Sequence, residues 1–200
     1  MKRYKITPTL INAFNYVWDL KTSEENLSSA TKIALDNFIG LLKKEDSPMS
    51  PSIIAGLEFE KKCYEGVVEP STEEIIRILR GGTYQVRKER NINVEGYNFL
   101  LVGVLDYLKG IDIYDIKKSI TNTYTPLKYI KSCQHSAYFY LVPATQRFTY
   151  LFNDKNGQTF KEQYLRSDAK PIQGYIMAFI EGLKNMGLWD LYTQYWEVKN

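Results

Sequence analysis

The stretch FLLVGVLDYLKGIDIYDIKK, residues 99–118, contains two runs of β-branched, aromatic and other apolar residues separated by a glycine-containing break. Such runs predict two strands. The Gly110-Ile111 dipeptide between them predicts a two-residue hairpin turn, in which glycine at the first position favours the type II′ conformation. A turn of this length fixes the register of the two strands. Counted back from the turn, Asp106 falls directly opposite Asp115.

Asp106 and Asp115 form an unfavourable pair unless a cation neutralises them. Carboxylates on directly paired strand residues lie roughly 5 Å apart at Cβ and repel each other. Asp106 also follows the run 99–105, which is apolar on both faces like a buried central strand, where unpaired charge is strongly disfavoured. Mg²⁺, a hard cation that binds oxygen ligands, suits a site with few carboxylates. Lys117 lies two residues beyond Asp115 and therefore on the same face of the strand.

The pattern of an acidic residue two positions before a lysine is weak when taken alone. It occurs five times, at Asp19-Lys21, Glu60-Lys62, Asp115-Lys117, Asp168-Lys170 and Glu197-Lys199. Only Asp115-Lys117 lies on an apolar strand with a second carboxylate facing it. The alternative is that these charges mark a sheet edge, or that the register is wrong.

A second carboxylate-bearing segment precedes the strands. Gly56 and Glu60 lie four residues apart on one predicted helix face, so a position without a side chain would let the helix approach the sheet while Glu60 reaches the carboxylate pair. Glu58 is the neighbouring candidate, but it points about 160° away from Glu60. The alternative for Glu60 is an ordinary solvated glutamate.

A helix after the strands offers two further polar side chains. Gln134 and Tyr138 lie four residues apart and share one face. Both can form hydrogen bonds with water, a phosphate or a lysine, although a solvated Gln134 beside a packed Tyr138 is the simpler alternative. His135, the only histidine, faces away from them and is predicted to serve surface or packing roles.

The remaining patterns place these segments in one α/β domain of 200 residues with a central mixed sheet. Helical spacing covers Thr7 to Leu79, with a break at 47–51 and a helix that Ser50 caps and Gly66 ends. Three strands then precede a helix from Pro126, two more strands and a C-terminal helical part. The apolar positions of the first two helices are Leu10, Phe14 and Val17, and then Leu27, Ala30, Ile33, Ala34 and Phe38. The domain divides into an N-terminal helical part (1–48), a core (50–165) and C-terminal helices (168–200).

Composition excludes several classes of protein. The formal net charge of +3 is too small to identify a nucleic-acid binder. Cys63 and Cys133 cannot form a disulfide framework or a four-cysteine metal site, and both are predicted to pack as small hydrophobes. No secretory signal and no membrane span is recognisable, so we expect a cytoplasmic protein without membrane partners.

Four of these segments, in this order, resemble the motifs of the PD-(D/E)XK nucleases, in particular the RecB-like, phage-type exonuclease branch. They are Gly56-Leu57-Glu58-Phe59-Glu60, Gly103-Val104-Leu105-Asp106, Asp115-Ile116-Lys117 and Gln134-His135-Ser136-Ala137-Tyr138. The resemblance implies a restriction-endonuclease-like core. The chain lacks the cysteines of the members that carry an iron–sulfur cluster, so no cluster is expected.

The resemblance also implies an activity, the hydrolysis of phosphodiester bonds in DNA. Asp106 and Asp115, with Glu60 and the backbone carbonyl of Ile116, would hold one or two Mg²⁺ or Mn²⁺ ions. Lys117 would orient the attacking water, while Gln134 and Tyr138 would support the ligands and contact the DNA backbone. The family suggests an exonuclease that acts on DNA ends in phage-type recombination or repair and is paired with a single-strand annealing protein. A non-catalytic DNA- or protein-binding module on the same fold, and a nuclease acting on RNA, are the alternatives.

Overall fold

The computed structural model describes residues 2–23 and 28–199. Within them the chain forms six strands, seven α-helices and a short 3-10 helix at Arg166–Asp168. The elements follow in the order β1 (Arg3–Ile6), α1 (Pro8–Ser23), α2 (Ser29–Lys43), α3 (Pro51–Glu65), α4 (Glu73–Leu79), β2 (Thr83–Val94), β3 (Tyr97–Lys109), β4 (Asp112–Lys118), α5 (Gln134–Leu141), β5 (Arg147–Asn153), β6 (Thr159–Leu165), α6 (Ile172–Asn185) and α7 (Trp189–Trp196).

The described strands form one mixed sheet. Its hydrogen-bonded order is β1-β3-β4-β5-β6, and β2 pairs with β3. The pairs β1–β3 and β4–β5 are parallel, whereas β3–β4 and β5–β6 are antiparallel. This topology confirms the predicted α/β fold with a central mixed sheet. Strand β1 was not predicted, because four residues are too few to display a period.

The described residues divide into two compact units. The first comprises the described parts of Met1–Ser47, Glu89–Gly103 and Lys170–Asn200, and the second comprises Pro48–Lys88 and Val104–Ala169. The single domain expected from the sequence remains a prediction. All the candidate site residues lie in the second unit.

The first unit is built around Phe14 on α1, which is fully buried. Its ring packs edge-on against Phe179, with ring centroids 5.4 Å apart. A Cβ on Gly182 would lie 2.1 Å from Phe14 Cζ, so α6 can approach α1 this closely only with glycine there. The predicted face of Leu10, Phe14 and Val17 is confirmed by their burial.

The predicted apolar face of α2 is partly wrong. Phe38 is buried, but Ile33 is 61% exposed, and the helix instead buries Thr31 and Leu42. Leu27 lies outside the described residues.

The second unit contains the predicted helix α3 with its predicted ends. The Ser50 hydroxyl accepts a hydrogen bond from the Ile53 N–H at 3.3 Å, and Gly66 ends the helix with a positive φ of 73°. One face of α3 packs into an apolar cluster made of Phe59, Cys63, Ile75, Leu79, Tyr107, Ile116 and Leu151. Cys63 and Cys133 are both buried with free thiols, as predicted.

The helix predicted from Pro126 is wrong at its start. Residues 126–131 form turns, and α5 begins only at Gln134. Leu127 has a left-handed φ of 59°, which interrupts a helix. The N–H groups of Lys128 and Tyr129 donate to the Glu162 carboxylate at 3.2 and 3.0 Å, so a side chain on β6 replaces the helical acceptors. Across the residues that the structure describes, no helix has both the length and the apolar composition needed to cross a membrane.

Candidate active site

The β3–β4 hairpin has the predicted register and turn. Tyr107 pairs with Tyr114, and Lys109 pairs with Asp112. Gly110 has a positive φ of 58°, as the first position of a type II′ turn requires. The pairing ends at Tyr107 and Tyr114, one residue before Asp106 and Asp115, so their predicted direct pairing stays a prediction.

Asp106 interacts with the neighbouring strand through its side chain. Its Oδ2 accepts a hydrogen bond from the Ile116 N–H at 2.9 Å. Burial raises the pKa of Asp106 well above its usual range, and the negative charge of Asp115 raises it further. The Lys117 charge and the Ile116 N–H oppose these effects without cancelling them.

Asp115 is 1% exposed, and its two oxygens have different surroundings. Oδ1 accepts a hydrogen bond from the Gln134 Nε2 atom. Oδ2 forms an ion pair with Lys117, whose Nζ lies 2.5 Å away. Burial raises the pKa of Asp115, although Lys117 and Gln134 both favour its ionised form. One lysine faces two carboxylates here, so the buried pair keeps a like-charge repulsion that a divalent cation would relieve.

Lys117 provides the positive charge of the cluster. Its side chain is 34% exposed, so part of it contacts solvent. Desolvation lowers the pKa of Lys117, but the charges of Asp115, Asp106 and Glu60 outweigh it and raise the pKa overall. The amine is therefore held protonated beside the carboxylates.

Glu60 lies on the side of α3 that faces this cluster, whereas Glu58 is exposed. Burial raises the pKa of Glu60, the Gln85 hydrogen bond lowers it, and the charge of Asp115 raises it. Gln85 Nε2 donates to Glu60 Oε1 at 2.6 Å. Sequence reasoning missed Gln85, because nothing in the period of β2 marks it.

The explanation offered for Gly56 is wrong. A Cβ at this position would meet no atom within 4 Å, so close packing of α3 does not require glycine there.

The structure places the two α5 residues differently. Gln134 contacts Asp115 directly, as described above. Tyr138 is buried, and its hydroxyl donates to the Val104 carbonyl at 2.6 Å, two residues before Asp106. His135 is also buried and stacks on Tyr164 with ring centroids 4.3 Å apart, which confirms a packing role.

The donor set fits a cation that needs few protein ligands. No group of three or more His, Cys, Asp or Glu side chains in the described ranges could hold a metal ion. The two aspartates, Asp106 and Asp115, are the carboxylates that the hairpin offers. Mg²⁺ is usually bound by one or two carboxylates, with water and substrate phosphate completing its shell.

Comparisons with known proteins concern the fold. No protein-family model and no curated protein matches the sequence. The solved structure of SSO0001 aligns with a TM-score of 0.54 and 17% identity, covering 89% of this chain and 75% of that chain. A protein of Eubacterium rectale provisionally named an exonuclease aligns with a TM-score of 0.53 and 11% identity, covering 98% and 83%. An alkaline exonuclease from Laribacter hongkongensis aligns with a TM-score of 0.47 and 15% identity, covering 96% of this chain and 89% of that chain. At such low sequence identities, the similarity to SSO0001 and to the Eubacterium rectale protein shows a shared fold.

Proposed function

We propose that the chain is a metal-dependent deoxyribonuclease, an exonuclease that hydrolyses phosphodiester bonds at DNA ends. The observation that carries this proposal is the buried carboxylate of Asp115, which lies beside both a second carboxylate, Asp106, and the Lys117 amine. Two carboxylates buried together repel each other, which is costly if their role is only structural. The resemblance to PD-(D/E)XK nucleases gives this arrangement its chemical interpretation.

Each residue of the cluster has a separate role in the proposal. Asp106 and Asp115, with the Ile116 carbonyl, would hold Mg²⁺ or Mn²⁺, which would supply water of lowered pKa and positive charge for the leaving oxygen. Glu60 would join them from α3, while Gln85 Nε2 holds its Oε1 through a hydrogen bond. Lys117 orients the attacking water and offsets the negative charge that develops on the phosphate.

The α5 residues position the ligands rather than react. Gln134 holds Asp115 Oδ1 and so fixes the direction in which Oδ2 points. Tyr138 fixes the backbone of β3 at Val104, which positions Asp106 two residues later. The expected contact with the DNA backbone is kept in the proposal for the half-buried Gln134 alone, because Tyr138 is buried.

A non-catalytic DNA- or protein-binding module is the second candidate. One observation favours it: the described residues contain no group of three metal-ligating side chains. The complete set of two aspartates and a lysine favours the enzyme, because a binding module has no need for a strained buried pair. The biological setting we propose, phage-type recombination or repair with an annealing protein, rests on the family resemblance.

The experiment is a cleavage assay with end-labelled linear DNA and closed circular DNA of the same sequence, with Mg²⁺ and with EDTA. We expect Mg²⁺-dependent loss of the linear DNA alone. Cutting of the circle would instead indicate an endonuclease. An absence of cleavage on DNA and on RNA, with Mg²⁺ and with Mn²⁺, would favour the binding module.

A further inference from the structure

Two tyrosines stack beside the candidate site without being part of it. The rings of Tyr64 on α3 and Tyr84 on β2 are parallel within 6°, with centroids 4.6 Å apart. Tyr84 is 50% exposed, so it presents aromatic surface to solvent while Tyr64 supports one of its faces. Tyr64 lies four residues after Glu60, which is about one turn, or 5.4 Å, along α3.

A backbone irregularity produces this stack. Gln85, the residue after Tyr84, has a left-handed φ of 53° within β2. Successive side chains of a regular strand point to opposite faces, yet here Tyr84 contacts Tyr64 and Gln85 contacts Glu60. Both partners lie on α3, one turn apart. A left-handed residue that is not glycine costs free energy, and such residues cluster at functional sites.

The stack also borders a cavity of about 210 Å³. Tyr64, Tyr84 and Tyr107 line one part of it, and Arg80-Gly81-Gly82 lines another. A Cβ on Gly82 would lie 3.1 Å from the Leu79 carbonyl oxygen, so this wall is formed by backbone at close approach. The cavity is therefore lined by three tyrosines and by a glycine-containing turn that begins at Arg80.

We propose that Tyr84, supported by Tyr64, stacks against an unpaired base of the nucleic-acid strand whose phosphate lies at the carboxylate cluster. This inference rests on the proposed function and adds a substrate class, a single strand or a frayed end. Tyr64 lies only one helical turn, about 5.4 Å, beyond Glu60, so the stacked base would belong to a nucleotide close to that phosphate. Stacking on tyrosine tolerates any base, because every base has a π-face.

The test is equilibrium binding of a fluorescein-labelled single-stranded DNA of about 12 nucleotides, measured by anisotropy with Ca²⁺ to limit cleavage. Tyr84→Ala should weaken binding by between about 5-fold and about 100-fold, and Tyr84→Phe should bind like the wild type. Tyr84→Leu keeps an apolar contact with Tyr64 but removes the aromatic ring, so it should weaken binding like the alanine variant. Tyr16→Ala is the matched control, because Tyr16 is 63% exposed in the first unit, and it should have no effect.

A fully abasic strand of the same length separates stacking from other causes. Wild type and Tyr84→Ala should bind the abasic strand equally. Unchanged binding of the normal strand by Tyr84→Ala, or an equal loss on both strands, overturns the inference. If the wild type cleaves DNA while Tyr84→Ala binds and cleaves normally, only the stacking role fails. If the wild type neither binds nor cleaves, the proposed function fails with it.

Discussion

Two buried carboxylates lie in one row across the sheet, and their surroundings are opposite. Asp115 on β4 pairs with Tyr150 on β5, which pairs in turn with Glu162 on β6. Four donors fill the Glu162 carboxylate: the hydroxyls of Tyr124 and Tyr164 and the N–H groups of Lys128 and Tyr129. Asp115 has one hydrogen bond from Gln134 and an ion pair with Lys117.

This difference distinguishes a carboxylate that stabilises the fold, Glu162, from one that we propose takes part in cleavage, Asp115. Glu162 stabilises the loop 124–129, because each of its donors would lose a partner without it. Asp115 holds no loop and lies next to a second carboxylate of raised pKa. Burial alone therefore does not distinguish the two carboxylates, whereas the charges beside them do.

The largest expected effect concerns cleavage. Asp115→Asn and Lys117→Ala should each reduce the cleavage rate by about 100- to 1000-fold or more, because each removes charge that acts on the transition state. Single-turnover rates on linear DNA measure the effect. Glu162→Gln, assayed at a temperature where it is folded, is the matched control and should cleave at close to the wild-type rate. Wild-type rates in both cluster variants would show that the site is assigned to the wrong residues.

The second expected effect concerns stability, where the Glu162 variant should lose more than the Asp115 variant. Glu162→Gln should lower the free energy of unfolding by about 3 kcal/mol, because buried donors lose their acceptor. Asp115→Asn, measured in EDTA, should stay within about 1 kcal/mol of the wild type, because relief of repulsion from Asp106 offsets the loss of its ion pair with Lys117. Urea denaturation measures both values. Equal destabilisation of the two variants would remove the distinction between the carboxylates.

The third prediction concerns the pH dependence of the free energy of unfolding, which arises from His135 near Glu162. Burial lowers the pKa of His135 to about 4, although Glu162 opposes the shift. Below pH about 6.5 the unfolded chain binds a proton that folded His135 does not bind, so its stabilising contribution is lost as the pH falls towards 4. The loss should reach about 3 kcal/mol. His135→Phe, which keeps an aromatic ring against Tyr164, should flatten the unfolding free energy between pH 6.5 and 4, and a curve parallel to the wild type would contradict this.

The fourth prediction concerns metal binding on the Asp115 side. Mg²⁺ or Mn²⁺ should raise the free energy of unfolding by about 2.7 kcal/mol at a free concentration about a hundredfold above its dissociation constant. Calorimetry across a Mn²⁺ titration measures the gain. Asp106→Asn should reduce it, whereas Glu162→Gln should leave it unchanged. An unchanged melting temperature in the wild type would favour the non-catalytic module.

The smallest expected effect distinguishes the two glutamates of α3. Glu60→Ala should reduce the cleavage rate by about 10-fold, which corresponds to about 1.4 kcal/mol, because Glu60 supplements the charge of the two aspartates. Glu58→Ala should have almost no effect, since its side chain is exposed. The reverse order would transfer the role to Glu58.

Sequence reasoning worked where the signal was local. The hairpin register follows from a two-residue turn, and the ends of α3 follow from Ser50 and Gly66, because capping and turn chemistry depend on neighbouring residues. It failed at Pro126. Proline favours the first position of a helix, but Glu162, more than thirty residues later, accepts hydrogen bonds from the backbone that follows and holds it in turns. It also failed at Gly56, because a spacing on a helix does not reveal what packs against it.

The sequence by itself determined the hairpin, its carboxylate pair and lysine, and the α/β class, since these depend on periodicity and on short turns. Only the tertiary structure decided which groups surround them. Gln85 donates a hydrogen bond to Glu60, 25 residues away in the sequence, and the Tyr129 N–H donates to Glu162, 33 residues away. Such contacts arise when elements pack together, and no local pattern records them. The physical reason is that hydrogen bonding and neighbouring charge, which separate Asp115 from Glu162, are properties of a buried neighbourhood rather than of a stretch of chain.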